Sequence, residues 1–222
     1  MIKIAPSILA ADPLNLERDT ALAVSAGCDW IHVDVMDAAF VPNLAYTPAT
    51  VSALKARFSV PLDVHLMMTD PGRYLDAFLS AGADILTIHA EIADDPVPLL
   101  RRIREAGRLA GLAVKPGTPV EVFSALLPET DLLLAMTVEP GFGGQKLNPD
   151  VIPKIRALRE AGYTGYIEAD GGINADNLPS LVSAGLSVAV MGTAVFRDPD
   201  PAALLSRLHA LETPFFSPEV SR

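Results

Sequence analysis

The chain has 222 residues, of which half are hydrophobic and a fifth are charged, so it has enough apolar residues to bury a core and is not predicted to be disordered. The formal net charge is −10, which argues against a nucleic-acid partner, and the single cysteine, Cys28, excludes an internal disulfide and a thiolate metal site. No signal-peptide pattern and no membrane-spanning apolar stretch is visible, so we expect a cytoplasmic protein without a membrane partner.

An Ala-Gly dipeptide recurs five times, each time after a helical pattern and shortly before an apolar run. The five glycines are Gly27, Gly82, Gly107, Gly162 and Gly185, at intervals of 55, 25, 55 and 23 residues. A glycine just after a helix is typical of a helix that ends in one residue of left-handed conformation, because glycine reaches positive φ without a Cβ clash. The intervals fit a repeat of about 27 residues, and about eight such units fill the chain.

The apolar runs predict eight strands, at residues 3–9, 30–36, 62–68, 85–90, 112–115, 132–138, 166–170 and 188–192. Helical patterns follow them, at 15–26, 49–58, 73–81, 98–106, 120–127, 149–161, 175–184 and 201–211. Alternating strands and helices indicate parallel pairing, in a closed barrel or an open doubly wound sheet. The count of eight favours an α/β fold of the (β/α)8 TIM barrel type, and the open sheet lacks its G-x-G-x-x-G marker after the first strand. We expect one barrel domain at 1–211 and a tail at 212–222 that contains Phe215-Phe216 and has no assigned role.

Ionisable residues share one face of the second and third predicted strands. Because side chains alternate along a strand, His32 lies with Asp34, and His65 lies with Asp63; Asp170 ends the seventh predicted strand. These strands contain no Lys or Arg, and buried charges must be paired or bind a cation. Two imidazoles and two carboxylates suit Zn²⁺, Mn²⁺, Fe²⁺ or Co²⁺. The set His32, Asp34, His65 and Asp170 therefore predicts a metal site, although any one of these residues alone is more typical of a satisfied buried polar group. His89 has no such partner and is expected to be structural.

Glycine-rich turns follow the last three predicted strands, at 139–145, at Gly171-Gly172-Ile173 and at Met191-Gly192-Thr193. Glycines let backbone N–H groups approach an anion, and barrel enzymes commonly bind phosphate in the loops after their last two strands. One such turn would be ordinary, but three at one edge of the mouth predict a phosphate site. Met36, Met67 and Met136 fall on strands, either as flexible core filling or as an apolar cap over a reactive intermediate.

In these residues the sequence resembles the ribulose-phosphate 3-epimerase family, over nearly the whole chain up to about Leu211. The matching stretches are Ala5-Pro6-Ser7-Ile8-Leu9, residues 32–37, Phe40-Val41-Pro42-Asn43, residues 63–67, Pro116-Gly117-Thr118, residues 136–145 and Asp170-Gly171-Gly172. The resemblance implies a ribulose-phosphate-binding barrel and an isomerase of the pentose phosphate pathway. It further implies interconversion of D-ribulose 5-phosphate and D-xylulose 5-phosphate, one divalent ion per subunit (Zn, Fe, Mn or Co), and a homo-oligomer, either a dimer or a hexamer.

The resemblance also assigns roles to individual residues. It implies that His32, Asp34, His65 and Asp170 bind the metal and that Asp34 and Asp170 are the catalytic acid–base pair. It implies a substrate site made by Ser7, His65, Gly141, Phe142, Gly143, Gly144, Asp170, Gly171, Gly172, Gly192 and Thr193. Inverting C3 of a 2-ketose needs a proton removed from one face and another delivered to the opposite face, which one ionised and one protonated carboxyl group can do. A metal would stabilise the enediolate, which the three methionines would cap, and no organic cofactor is required.

The sequence departs from the family pattern in the loop after the second predicted strand. Asp37-Ala38-Ala39 stands where the family has Asp-Gly, and residues 44–48 lack the usual Phe-Gly. Three alternatives remain open: a 3-epimerase of another ketose phosphate such as allulose 6-phosphate, a barrel aldolase or decarboxylase, and a non-catalytic sugar-phosphate-binding barrel. The decarboxylase pattern Asp-x-Lys-x-x-Asp is broken by Met36, and a binding protein has no need of both Asp34 and Asp170.

Overall fold

A computed structural model describes residues 1–92 and 94–213, and nine strands in this part of the chain form one sheet. The strands are β1 (Lys3–Ala5), β2 (Ile31–Asp37), β3 (Leu44–Ala45), β4 (Leu62–Met67), β5 (Ile85–His89), β6 (Leu109–Val114), β7 (Leu132–Met136), β8 (Tyr166–Asp170) and β9 (Val188–Val190). Eight of them correspond to the predicted strands. The two-residue β3, which was not predicted, pairs antiparallel with the end of β2.

The parallel strands close into a barrel. Their order around the sheet is β1-β9-β8-β7-β6-β5-β4-β2, with β3 at the end. The ring closes where Ser7 and His32 form a parallel bridge and the His32 N–H donates to the carbonyl of Pro6 at 3.0 Å. The prediction of a TIM barrel rather than an open sheet is confirmed.

Helices follow the strands on the outside of the barrel: α1 (Leu16–Ser25), α2 (Pro48–Arg57), α3 (Leu75–Ala81), α4 (Val97–Glu105), α5 (Val120–Phe123), α6 (Ile152–Glu160), α7 (Leu178–Ala184), α8 (Thr193–Phe196) and α9 (Pro201–His209). The five glycines of the repeated Ala-Gly dipeptide all have positive φ, between 72° and 114°, as the repeat predicts. In the described residues no helix combines the length and apolarity needed to cross a membrane.

Several element boundaries differ from the prediction. Strand β1 ends at Ala5 and is followed by a 3-10 turn at Ile8–Ala10. Strand β6 begins at Leu109, three residues early, and includes Gly111, whose missing side chain leaves room for Thr87 of β5. Only residues 212 and 213 of the predicted tail are described, so Phe215-Phe216 lies outside the described residues.

The two faces of the strands have different surroundings. On β2, the side chains of Ile31, Val33 and Val35 belong to the main apolar core with the helices. The alternate residues His32 and Asp34 are also buried, but they point into the barrel. Polar side chains therefore fill part of the barrel interior and must be satisfied there.

Candidate active site and metal centre

A cavity of about 350 Å³ opens at the carboxyl ends of the strands. It is lined by all the predicted substrate-site residues except His65, that is by Ser7, Gly141, Phe142, Gly143, Gly144, Asp170, Gly171, Gly172, Gly192 and Thr193. Asp34 and the three predicted cap residues, Met36, Met67 and Met136, also line it. All three methionines are buried, so they present an apolar wall to the cavity.

Side chains from three strands come together beside this cavity, and two of them, Asp34 and Asp170, line it. His32 and Asp34 come from β2, His65 from β4 and Asp170 from β8, and each offers one ligand atom within 4.8 Å of the other three. His32 Nε2 and His65 Nδ1 each lie 3.4 Å from Asp34 Oδ1. Within the described residues, neither nitrogen has a hydrogen-bond partner. Two unpartnered buried nitrogens that face two carboxyl groups fit a divalent cation.

The other nitrogen of His32 is anchored by a carboxylate. His32 Nδ1 lies 2.5 Å from Oδ2 of Asp63, and both residues are fully buried. Glu168 Oε1 lies 3.8 Å from the same nitrogen. Neither carboxyl group has a role predicted from the sequence. The signal for Glu168 was its position two residues before Asp170, which places both on the inward face of β8.

Ser7 orients Asp34. Its hydroxyl donates a hydrogen bond of 2.6 Å to Asp34 Oδ2, while the N–H of Leu9 donates to the Ser7 oxygen at 3.3 Å. Asp34 therefore directs Oδ2 to Ser7 and Oδ1 to the two histidines. The resemblance predicts Ser7 as a substrate-site residue, and the structure adds its contact with Asp34.

The carboxyl groups of the site have displaced pKa values. Burial alone would raise the pKa of Asp34, but His32 and His65 hold it well below its ordinary value. Burial and the nearby Asp34 raise the pKa of Asp170 to about 7. Burial opposes protonation of His32, yet Asp63 and Asp34 raise its pKa well above the usual value. Burial lowers the pKa of His65.

His89 has a partner, which corrects the expectation that it has none. Its Nε2 lies 2.9 Å from Nε2 of His65, and its Nδ1 lies 3.0 Å from Oε2 of Glu91. Burial lowers the pKa of His89 to about 4. The histidine is thus linked to the predicted metal ligand His65.

The glycine-rich loops pack directly on each other. Gly172 has φ +67°, and a Cβ there would meet backbone atoms of residues 145–147. Thr137 fastens the end of β8, because its N–H and its hydroxyl donate to the carbonyl of Asp170 at 2.7 and 2.8 Å. The N–H groups of Gly172 and Gly192 form no hydrogen bond within the described residues, and both glycines line the cavity.

The loop after β2 contains two strained residues where the sequence departs from the family. Ala38 has φ +59° and Tyr46 has φ +41°, a region in which side chains are disfavoured. The Tyr46 hydroxyl donates to the carbonyl of Ile8 at 2.7 Å. Nδ2 of Asn43, on the same loop, donates to the carbonyl of Gly141 at 2.8 Å. The loop is therefore fastened to both sides of the cavity.

Comparison with known proteins gives consistent matches. The model of the ribulose-phosphate 3-epimerase family matches residues 3–196. A ribulose-phosphate 3-epimerase of Mycobacterium tuberculosis is 49% identical over 209 residues, with 92% of this chain and 90% of the relative covered. The protein of the same name from Bacillus subtilis is 43% identical over 213 residues, with 94% of this chain and 98% of the relative covered.

Solved structures support the fold. A 3-hexulose-6-phosphate synthase from Salmonella typhimurium superposes with a TM-score of 0.72 at 16% sequence identity. The match covers 95% of this chain and 98% of the synthase chain. A phosphoribosylanthranilate isomerase from Thermotoga maritima superposes with a TM-score of 0.65 at 16% sequence identity. The match covers 95% of this chain and 100% of the isomerase chain. At these identities the likeness concerns the barrel and not the chemistry.

Proposed function

Because the chain belongs to the ribulose-phosphate 3-epimerase family, we propose that Asp34 and Asp170 carry out its reaction on a sugar held by the glycine-rich loops. The reaction is the inversion of C3 in ribulose phosphate, an isomerase reaction of the pentose phosphate pathway. The observation that carries the proposal is that His32, Asp34, His65 and Asp170 bring ligand atoms within 4.8 Å of one another and that Asp34 and Asp170 line the cavity.

Asp34 and Asp170 have the properties of an acid–base pair. They come from β2 and β8, which are separated around the barrel by β1 and β9, so their carboxyl groups approach the cavity from different sides. In the metal-free protein the surroundings hold the pKa of Asp34 well below its ordinary value and raise that of Asp170 to about 7, so the two carboxyl groups differ in how readily they hold a proton. In one direction Asp34 takes the C3 proton and Asp170 delivers a proton to the opposite face; in the reverse direction the roles exchange.

The remaining cavity residues position the sugar phosphate. We infer that the N–H groups of Gly172 and Gly192, which line the cavity and form no hydrogen bond within the described residues, bind the phosphate oxygens; such a site requires no Lys or Arg. Met36, Met67 and Met136 exclude water from the carbon that loses its proton. Binding the phosphate at a distance from C3 orients the reacting carbon between the two carboxyl groups.

We assign His32, Asp34, His65 and Asp170 as the residues that would hold one divalent ion. When bound, Zn²⁺, Fe²⁺, Mn²⁺ or Co²⁺ supplies a Lewis acid that polarises the substrate oxygens next to C3. His32 offers Nε2 and His65 offers Nδ1, because the second nitrogen of each ring is already occupied by Asp63 and His89, respectively.

Solvent deuterium exchange tests the acid–base assignment. In D₂O, the wild-type protein should place deuterium at C3 of ribulose 5-phosphate, and chelation of the metal should stop the exchange. Asp34→Asn and Asp170→Asn should each lower epimerisation by about 1,000-fold or more, because general acid–base catalysis contributes about 10² to 10⁴. Asp176→Asn, the same chemical change at an exposed residue near the cavity, is the matched control. Full exchange by both site variants would overturn the assignment.

The substrate length and the assembly state are tested separately. Turnover of ribulose 5-phosphate should exceed that of allulose 6-phosphate, and the opposite order would identify the six-carbon epimerase instead. On the family resemblance we also propose a homo-oligomer, either a dimer or a hexamer. Light scattering of the purified protein measures this, and a monomer at all concentrations would contradict it.

A further inference from the structure

We propose that His89 and Glu91 are positioning residues that fix the proton and the ring orientation of His65, so that its Nδ1 is available as a metal ligand. The inference rests on the metal centre proposed above. His65, His89 and Glu91 are called the imidazole chain below.

The imidazole chain is continuous from the metal centre to the rim of the barrel. His65 Nε2 lies 2.9 Å from His89 Nε2, and His89 Nδ1 lies 3.0 Å from Glu91 Oε2. Both imidazoles are fully buried, whereas Glu91 is partly exposed. The imidazole chain therefore connects a buried ligand, His65, to a carboxylate near solvent, Glu91.

The contacts allow one arrangement of protons when His65 Nδ1 is a ligand. A ligating nitrogen carries no proton, so the proton of neutral His65 is on Nε2, which then donates to Nε2 of His89. The proton of neutral His89 is consequently on Nδ1, which donates to Glu91. With the opposite direction, a proton on Nδ1 of His65 would face Asp34 Oδ1, 3.4 Å away, and block the ligand position.

Glu91 fixes this direction because it is held as an acceptor. Its Oε1 accepts hydrogen bonds from the N–H of Lys115, at 2.8 Å, and from the hydroxyl of Thr118. Burial alone would raise the pKa of Glu91, but His89, Thr118 and the Lys115 N–H lower it to about 2. An ionised carboxylate has no proton to donate, so His89 must be the donor.

The surroundings keep water away from the imidazole chain. The ring of Phe40 packs on His89 with a centroid distance of 4.6 Å, and Lys115 Nζ lies 4.3 Å from the Phe40 ring centroid. Hydrogen bonds in such a shielded place are stronger than in water. The arrangement parallels that of His32, whose second nitrogen is held directly by Asp63.

Metal affinity measures this role independently of turnover. The metal-free protein, prepared with a chelator, is titrated with Co²⁺ by calorimetry, and the Co²⁺ absorption bands report the ligand geometry. His89→Leu removes both hydrogen bonds and should raise the Co²⁺ Kd by about 10- to 100-fold, the usual effect of losing a partner of a ligating histidine. His89→Gln retains an acceptor for His65 and a donor for Glu91, and should restore most of the affinity and the wild-type spectrum.

Glu91→Gln, close to the surface, keeps the test decisive if a change at His89 impairs folding. We expect it to raise the Co²⁺ Kd by about 10-fold with little change in the melting temperature of the metal-free protein. The inference is overturned if His89→Leu and Glu91→Gln bind Co²⁺ like the wild type, or if His89→Gln and His89→Leu lose affinity equally. A wild-type protein that does not bind Co²⁺ would instead overturn the proposed metal centre itself.

Discussion

Asp34 and Asp170 have ligand atoms within 4.8 Å of each other, yet their pKa values are displaced in opposite directions. Asp34 faces two imidazoles and accepts a hydrogen bond from Ser7. The pKa of Asp170 is instead raised by burial and by the charge of Asp34. The difference in surroundings thus gives the two carboxyl groups different protonation states near neutral pH.

Metal binding should release protons, and their number should depend on pH. In the metal-free protein the pKa of His32 is raised well above its ordinary value and that of Asp170 to about 7, so both groups carry a removable proton at pH 6. We expect more protons to be released per ion at pH 6 than at pH 8, with affinity rising as pH rises. Calorimetry in buffers of different ionisation enthalpy counts them. Asp170→Asn should lose most of this pH dependence; an equal pH dependence in the two proteins would contradict the assignment.

Removing the Ser7 hydroxyl should impair catalysis. In Ser7→Ala, Oδ2 of Asp34 loses its 2.6 Å donor and the orientation of the carboxylate. A hydrogen bond to a charged group contributes about 1.5–3 kcal/mol, so we expect kcat/KM to fall by about 10- to 100-fold. Ser52→Ala, at an exposed position of α2, is the control. A Ser7→Ala variant with wild-type kcat/KM would show that the contact is not used in the reaction.

The sequence allowed the barrel and most of the site to be predicted, because strand alternation reveals which residues share a face. This pattern placed His32 with Asp34 and put His65 on an inward face, and the structure confirms both placements. Alternation does not reveal which residues of neighbouring strands lie side by side, since register depends on the packing of the whole sheet. His32 pairs with Asp63, and Asp34 with His65, through the register of β2 and β4.

The contacts that the sequence did not predict depend on this register between neighbouring strands. His89 of β5 contacts His65 of the neighbouring strand β4, and no sequence motif in either strand predicts this contact. The extra strand β3 has only two residues and depends on the hairpin with the end of β2. Such elements are too short to produce a periodic pattern of their own.

Ala38 is a position where glycine should stabilise the protein. Its φ of +59° strains an alanine by about 1 kcal/mol, and its side chain is exposed. We expect Ala38→Gly to raise the free energy of unfolding by up to about 1 kcal/mol. Ala39, its exposed neighbour, is not at positive φ, so Ala39→Gly should be neutral or destabilising. Urea denaturation of both variants tests this, and equal effects would contradict the strain argument.

Gly172 should not tolerate a side chain. A Cβ at this position would meet backbone atoms of residues 145–147, and the φ of +67° adds strain. We expect Gly172→Ala to lower the free energy of unfolding by about 2 kcal/mol or more and to weaken substrate binding, since the loop must move. Gly117→Ala is the control, because its Cβ would have open space at an ordinary φ. Similar stability and KM for both variants would show that the two loops are not closely packed.

Glu168 should make the metal-free protein less stable as pH rises. The residue is fully buried, and within the described residues neither carboxyl oxygen has a hydrogen-bond partner. Burial, followed by the charge of Asp63, raises its pKa well above the ordinary value of 4.5. The unfolded chain therefore ionises first, and stability is lost as pH rises from the unfolded value towards the folded one.

Glu168→Gln removes this ionisation and keeps the shape of the side chain. In the presence of a chelator, the variant should be more stable than the wild type at pH 8, by about 1.4 kcal/mol for each unit by which the pKa is raised, and the advantage should disappear near pH 4. Glu160→Gln, at an exposed residue that ends α6, controls for the loss of a negative charge. Urea denaturation between pH 4 and 8 measures the difference. If wild type and Glu168→Gln lose stability in parallel as pH rises, Glu168 is not the buried neutral acid that its surroundings require.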